Sequence, residues 1–196
     1  QGIEDAGSEL QQLATTPLFL SILCNNIQQG STFPTFTHKV YDDFTSHAFQ
    51  KGQHQLQTKF NLAAADVRRA CEAIALVMIE QNLGLNPARS ALIERVVDRG
   101  LYSSAEIEEY LEALLQLQIL HKIDPDSPDP GISFGHRQFQ EFYAAGTILR
   151  QLNEQPEQLW VPIRQLITDG RWRGVAVTLL QIGNWQQLGE LFNELQ

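Results

Sequence analysis

Gly131-Ile-Ser-Phe-Gly-His-Arg-Gln-Phe-Gln-Glu-Phe-Tyr-Ala-Ala145 is a stretch that changes period at its centre. Ile132 and Phe134 make a short apolar run that breaks at Gly135. Beyond it, Phe139, Phe142, Tyr143, Gly146 and Leu149 recur at the three-to-four spacing of a buried helical stripe. The pattern predicts a strand passing directly into a helix, with His136 at the junction. A side chain there lies beside amides that have no intrahelical partner, at the positive end of a helix dipole. Such a position suits an anion. It equally suits a histidine that only caps a turn.

Working upstream, the residues before this junction read as three helices and a hairpin. A helix from near Asp66 places Val67, Ala70, Cys71, Ile74, Ala75 and Met78 on one face; Asn82-Leu-Gly84 ends it and Asn86-Pro87 forbids its continuation. A shorter helix carries Ala91, Leu92, Val96 and Val97 and stops at Gly100. Ser103, paired with Glu106 three residues on, is a capping-box signature for a third helix burying Ile107, Tyr110, Leu111, Leu114, Leu115 and Leu117. Ile119, His121 and Ile123 then alternate with Leu120 and Lys122, as in a half-buried strand. Asp124-Pro-Asp-Ser-Pro-Asp-Pro-Gly131 is turn-forming, and Ile132-Ser-Phe134 is the returning strand. Together these predict a winged helix-turn-helix over residues 62–151.

Many winged helices bind DNA through the third helix. Here that helix carries Glu106, Glu108, Glu109 and Glu112 and no lysine or arginine, and the wing loop adds Asp124, Asp126 and Asp129. Those carboxylates repel phosphates, so a DNA-binding regulator is the weaker alternative. A third reading starts from Gly131-Ile-Ser133-Phe-Gly135, which matches the G-x-S-x-G nucleophile elbow of serine hydrolases. The elbow needs a buried strand before its first glycine and a parallel sheet around it. A loop rich in proline and aspartate precedes Gly131, and no βαβ alternation is present.

The flanks are helical too. Near the start, Leu10, Leu13 and Ala14 end a short helix. Thr16-Pro17 makes a good N-cap and first helical residue for an apolar helix with Leu18, Phe19, Leu20, Ile22, Leu23 and Ile27. Phe33-Pro34 opens another helix, with Phe36, Val40, Tyr41, Phe44 and Ala48 on one side and His38 and His47 as solvated flanks. The glutamine-rich residues 51–61 read as a linker or loop. After residue 152, stripes at Leu159–Ile167, Trp172–Leu180 and Trp185–Phe192, broken at Asp169-Gly170 and Gly183-Asn184, read as short paired helices.

A chain of 196 residues with 43% hydrophobic content folds around a real core. Its formal charge of -9 opposes broad contact with nucleic acid or an anionic membrane. Cys24 and Cys71 lie on apolar helical stretches outside any zinc spacing, and read as two buried thiols in a reducing cytoplasm. No run approaches the roughly 18 apolar residues of a membrane span, and no signal-peptide layout is present. With Gln1 in place of an initiator Met, the sequence is expected to be an excised or processed piece. Neither a G-x-x-x-x-G-K-[ST] motif nor an acidic strand end is present, so the chain alone is not expected to hydrolyse ATP.

The order Phe134, His136, Phe139, Gln140, Glu141, Phe142, Ala144, Ala145 resembles the motif that ends the winged-helix domain of NACHT-type signalling ATPases, the P-loop (STAND) switches that include bacterial and animal immune sensors. Leu13, Pro17, Leu18 and Leu20 are similar to the proline-bearing pattern of that family's helical lid. Pro34, Val40, Tyr41 and Phe44 look like the lid's closing helix. Arg171-Trp172-Arg173 followed by Val175 resembles the helix after the winged helix in bacterial members. The resemblance implies a mainly α protein with a lid at 1–50, a linker at 51–61, a winged helix at 62–151 and the start of a superhelical arm at 152–196. It implies that Pro17 packs on adenine and His136 bonds the terminal phosphate of ADP, with ADP or ATP and Mg held only in the complete protein. The implied partners are an upstream P-loop core of the same polypeptide, other protomers, and a sensor or effector that the sequence leaves open.

Overall fold

The structure, a computed structural model, describes Leu20, Cys24 and residues 37–154 and 163–183. Its elements run α1 (Thr37–Gln55), a π-helical turn (Leu56–Phe60), α2 (Ala64–Glu80), α3 (Arg89–Asp98), α4 (Ser104–Gln116), β1 (His121–Ile123), β2 (Gly131–Ser133), α5 (Arg137–Glu154), α6 (Ile163–Thr168), a 3₁₀ turn (Gly170–Trp172) and α7 (Arg173–Ile182). The protein is mainly α with one antiparallel hairpin, and α2, α3, α4, the hairpin and α5 follow in winged-helix order. Two compact units divide the chain, residues 1–50 and 51–196. None of the described helices is long and apolar enough to cross a membrane.

In the first unit, α1 buries Val40, Tyr41, Thr45 and Phe49, and leaves Phe44 and Ala48 half-buried. His47 is exposed as expected; His38 is half-buried, and burial lowers its pKa, so it is not a solvated flank. Leu20 and Cys24 are both exposed, against the expectation of a buried leucine and a buried thiol. Pro17, Leu13 and Leu18 lie outside the described residues.

The second unit is built on α2. Sequence spacing predicts one inner face, but Ala73, Leu76 and Val77 are buried as well, so the helix is covered all round from residue 70 to 79. Its main partner is α5, and α3 and α4 cover the other sides. The α2–α5 seam is close because Gly146 has no side chain: a Cβ there would stand 3.2 Å from the Glu72 carboxylate. Glu72 is 7% exposed and takes hydrogen bonds from Arg68 at 3.3 Å and Arg150 at 2.5 Å, which neutralises a charge that could not otherwise remain in the core.

Residues 51–60, expected as a linker or loop, are helical. Glutamine and lysine are good helix formers, and the wholly buried Leu56 anchors the stretch. The π-turn closes at Asn61, which adopts a left-handed conformation (φ 53°) and returns its amide to the Leu56 carbonyl.

On α4 the predicted capping box is present. The Ser103 hydroxyl accepts from the Glu106 amide, and the Glu106 carboxylate accepts from the Ser103 amide at 2.8 Å. Ile107, Leu111 and Leu114 are buried, whereas Tyr110, Leu115 and Leu117 are half-buried. The predicted strand alternation from Ile119 does not hold. Gln118 turns left-handed (φ 58°), and the amides of Ile119 and Leu120 bond back to the Leu114 carbonyl. Both side chains are therefore buried as part of the α4 terminus, and β1 begins only at His121, with all three residues exposed. The hairpin pairs His121 with Ser133, Lys122 with Ile132 and Ile123 with Gly131.

The hairpin is tied to α3 from its other side. Ala88 bridges Gly131, and the Arg89 amide donates to the Pro130 carbonyl. Ala88, in the N-cap position, offers no side-chain cap. Asp129 from the wing loop replaces it, accepting from the Ser90 amide at 3.0 Å and the Ser90 hydroxyl at 2.6 Å. In the last segment Leu166, Trp172, Val175 and Leu179 are buried, but Val177 (45%) and Leu180 (54%) are exposed on the opposite side of α7. The predicted stripes at 155–162 and 184–196 lie outside the described residues.

Two outcomes follow. Glu72→Ala leaves Arg150 facing an emptied seam, and should cost about 2–4 kcal/mol in urea unfolding; Glu72→Met with Arg150→Met should recover most of it. The Ser90 hydroxyl, and then the Ser90 amide, hold Asp129 below the usual carboxylate range. The cap is therefore complete above the unfolded carboxyl value, about pH 4, and is lost as pH falls through the lower folded value. The acid limb of the stability–pH curve should flatten in Asp129→Asn.

Candidate functional site

The residues that decide the site lie where β2 becomes α5. Phe134 is buried and packs on Tyr143 with ring centroids 5.5 Å apart, and Tyr143 meets Phe142 edge to face at 5.6 Å. This aromatic cluster fixes the first turns of α5 against the hairpin. Gly135 makes the corner at φ 73°, its amide donating to the Ser133 hydroxyl at 3.1 Å. A Cβ at Gly135 would come within 3.2 Å of the His121 ring, so the corner excludes side chains on two grounds.

His136 stands at the N-cap position of α5. Its carbonyl accepts from the Phe139 amide at 3.1 Å and the Gln140 amide at 3.5 Å, and its side chain is half-buried rather than sealed in the core. The amides that follow it are those a helix leaves without an intrahelical acceptor. The junction read from the sequence is thus the one observed. Pro17, the other predicted nucleotide-contacting residue, lies outside the described residues.

Ser133 sits on an antiparallel strand, 6% exposed, with its hydroxyl engaged by the Gly135 amide. A nucleophile elbow presents its serine at the end of a parallel strand with the hydroxyl open to substrate. The local geometry here is that of a turn stabilised by a serine. On α4, Glu106, Glu108 and Glu109 are exposed, while Glu112 is held by Arg89. Arg89 lowers the pKa of Glu112 through that hydrogen bond.

Beside the α5 entrance lies a cleft of about 140 Å³ that spacing did not reveal. Arg137, Gln140 and Glu141 line it from α5, Met78 and Ile79 from α2, and Arg171 from the 3₁₀ turn. Arg137 pairs with Glu141 at 2.8 Å. The Glu141 carboxylate also lies where a side chain on Gly174 would be, near the N-terminal end of α7, where negative charge is favourable. Arg171 holds Asp169 through two nitrogens, at 2.9 and 2.6 Å, and reaches the Glu80 carbonyl at 3.4 Å. Burial pushes the Glu80 carboxyl pKa up, and Arg99 at 2.7 Å opposes that shift. The sequence signal for this cleft was the Arg171-Trp172-Arg173-Gly174 run, whose glycine makes room for Glu141.

Comparison with protein-family models and with curated proteins gives no match.

Proposed function

We propose that this chain is the regulatory lid, winged-helix region and first arm helices of a NACHT-type signalling ATPase, acting on a P-loop core elsewhere in the same polypeptide. The observation that carries the reading is the position of His136, half-buried at the entrance of α5 directly after the hairpin, within the residue order that resembles the family's motif. The physical logic is a two-state latch. ADP on the core gains a hydrogen bond from His136 only in the closed arrangement, with Pro17 against the adenine, and exchange for ATP with Mg loses or rearranges those contacts. Opening then frees surfaces for assembly with other protomers and for the sensor or effector partner.

The magnitude is sufficient. A charge-assisted hydrogen bond contributes about 1.5–3 kcal/mol, which shifts a closed–open equilibrium roughly tenfold or more. The DNA-binding alternative is opposed by the exposed carboxylates of Glu106, Glu108 and Glu109 on α4.

In the complete polypeptide, His136→Ala should speed ADP release about tenfold and raise assembly without trigger, measured by stopped-flow with a fluorescent ADP and by light scattering. An unchanged ADP off-rate together with unchanged assembly would remove the latch.

A further inference from the structure

One carboxylate keys the first turns of α5 to the first turn of α7. Glu141 follows His136 by little more than one turn of α5, and its side chain is 13% exposed. It accepts a hydrogen bond from the Nε of Arg137, the residue next to His136, at 2.8 Å. The same carboxylate lies against Gly174 in the first turn of α7, in the space a Cβ would take there. The backbone does not ask for glycine at that position. Gly174 is helical and has no positive φ, and alanine is the better helix former. What the glycine provides is room for the carboxylate, which a helix start also favours by its dipole.

We propose that Glu141 is a positioning residue of the latch, through which α7 governs how tightly His136 holds the diphosphate. The inference rests on the nucleotide reading given above. Its path is short. Arg137 is fastened by Glu141, and Glu141 is seated on α7. The start of α7 is itself tied to α2, because Arg171 holds Asp169 and donates to the Glu80 carbonyl at 3.4 Å. Glu141 therefore registers where α7 stands relative to α2. When α7 shifts, the carboxylate loses its seat, and the turn from which the imidazole projects is less firmly held. An i,i+4 ion pair with Arg137 58% exposed carries little energy, so the control is graded rather than all-or-none.

The test is a double-mutant cycle on ADP release in the complete polypeptide, read by stopped-flow with a fluorescent ADP. Gly174→Ala puts a methyl group where the carboxylate lies. That carboxylate is the free end of a flexible side chain, so it gives way while the helix is kept. Release should become about twofold faster, with an unfolding midpoint no lower than the parent's. On the background of His136→Ala, Gly174→Ala should add nothing, because the contact acts through the imidazole. A Gly174→Ala variant that releases ADP as the parent does overturns the proposal and leaves the latch standing. So does one that adds its full factor to His136→Ala. Should Gly174→Ala melt early, Glu141→Gln, which keeps the volume and removes the charge, decides by the same two readings. If His136→Ala alone leaves release unchanged, the latch fails and this control of it fails too.

Discussion

The second unit depends on one buried ion cluster at the crossing of its two longest interior helices. Glu72 lies in the α2–α5 seam between Arg68 and Arg150, and Gly146 lets the backbone of α5 come down onto it. A carboxylate in a core is stable only when its partners are fixed, and fixed partners in turn fix the register of the helices that carry them. Sliding α5 by one turn would carry Gly146 and Arg150 away from their present places against Glu72. The surrounding apolar contacts tolerate many arrangements; the ion cluster tolerates one.

From that register the rest of the unit is placed. Phe139, Phe142 and Tyr143 precede Gly146 on the same helix, so fixing one end fixes the aromatic cluster against Phe134 and hence the hairpin. The hairpin passes the constraint to α3 through the Ala88–Gly131 bridge and the Asp129 cap. The wing is therefore held at both edges, although its strands have only three residues each. An isolated hairpin of that length would not persist in water.

Periodicity made the helices legible, and local chemistry made their ends legible. The Ser103–Glu106 box, the Gly135 corner and the Asp124-to-Gly131 turn are features whose cause lies within a few residues. The failures share a different cause. Residues 51–60 look like a linker because their polar composition hides one anchor, Leu56, in a turn that packs on the distant α4. Ile119 and Leu120 alternate like a strand, but the left-handed turn at Gln118 folds them back onto α4. Val177 and Leu180 are apolar yet exposed, since hydrophobicity alone does not say which side of α7 faces the core. The place of His136 at a helix entrance was legible because it is a local property; the cleft beside it was not, because α2, α5 and the 3₁₀ turn meet there only in three dimensions.

A residue that reports on another domain's nucleotide must hold its place without help from the nucleotide. Any conformational freedom of the imidazole is lost on binding, and that entropy subtracts from the differential contact on which a latch depends. In the proposed latch, the α5 entrance meets this demand through its backbone. Gly135 sets the corner, its amide is committed to Ser133, and the His136 carbonyl is committed to the first turn of the helix. The imidazole thus projects from a backbone anchored on both sides while remaining half-open. Rigid support with partial exposure favours a contact made across a domain boundary, where a fully buried ring could reach no phosphate and a fully mobile one would gain little from reaching it.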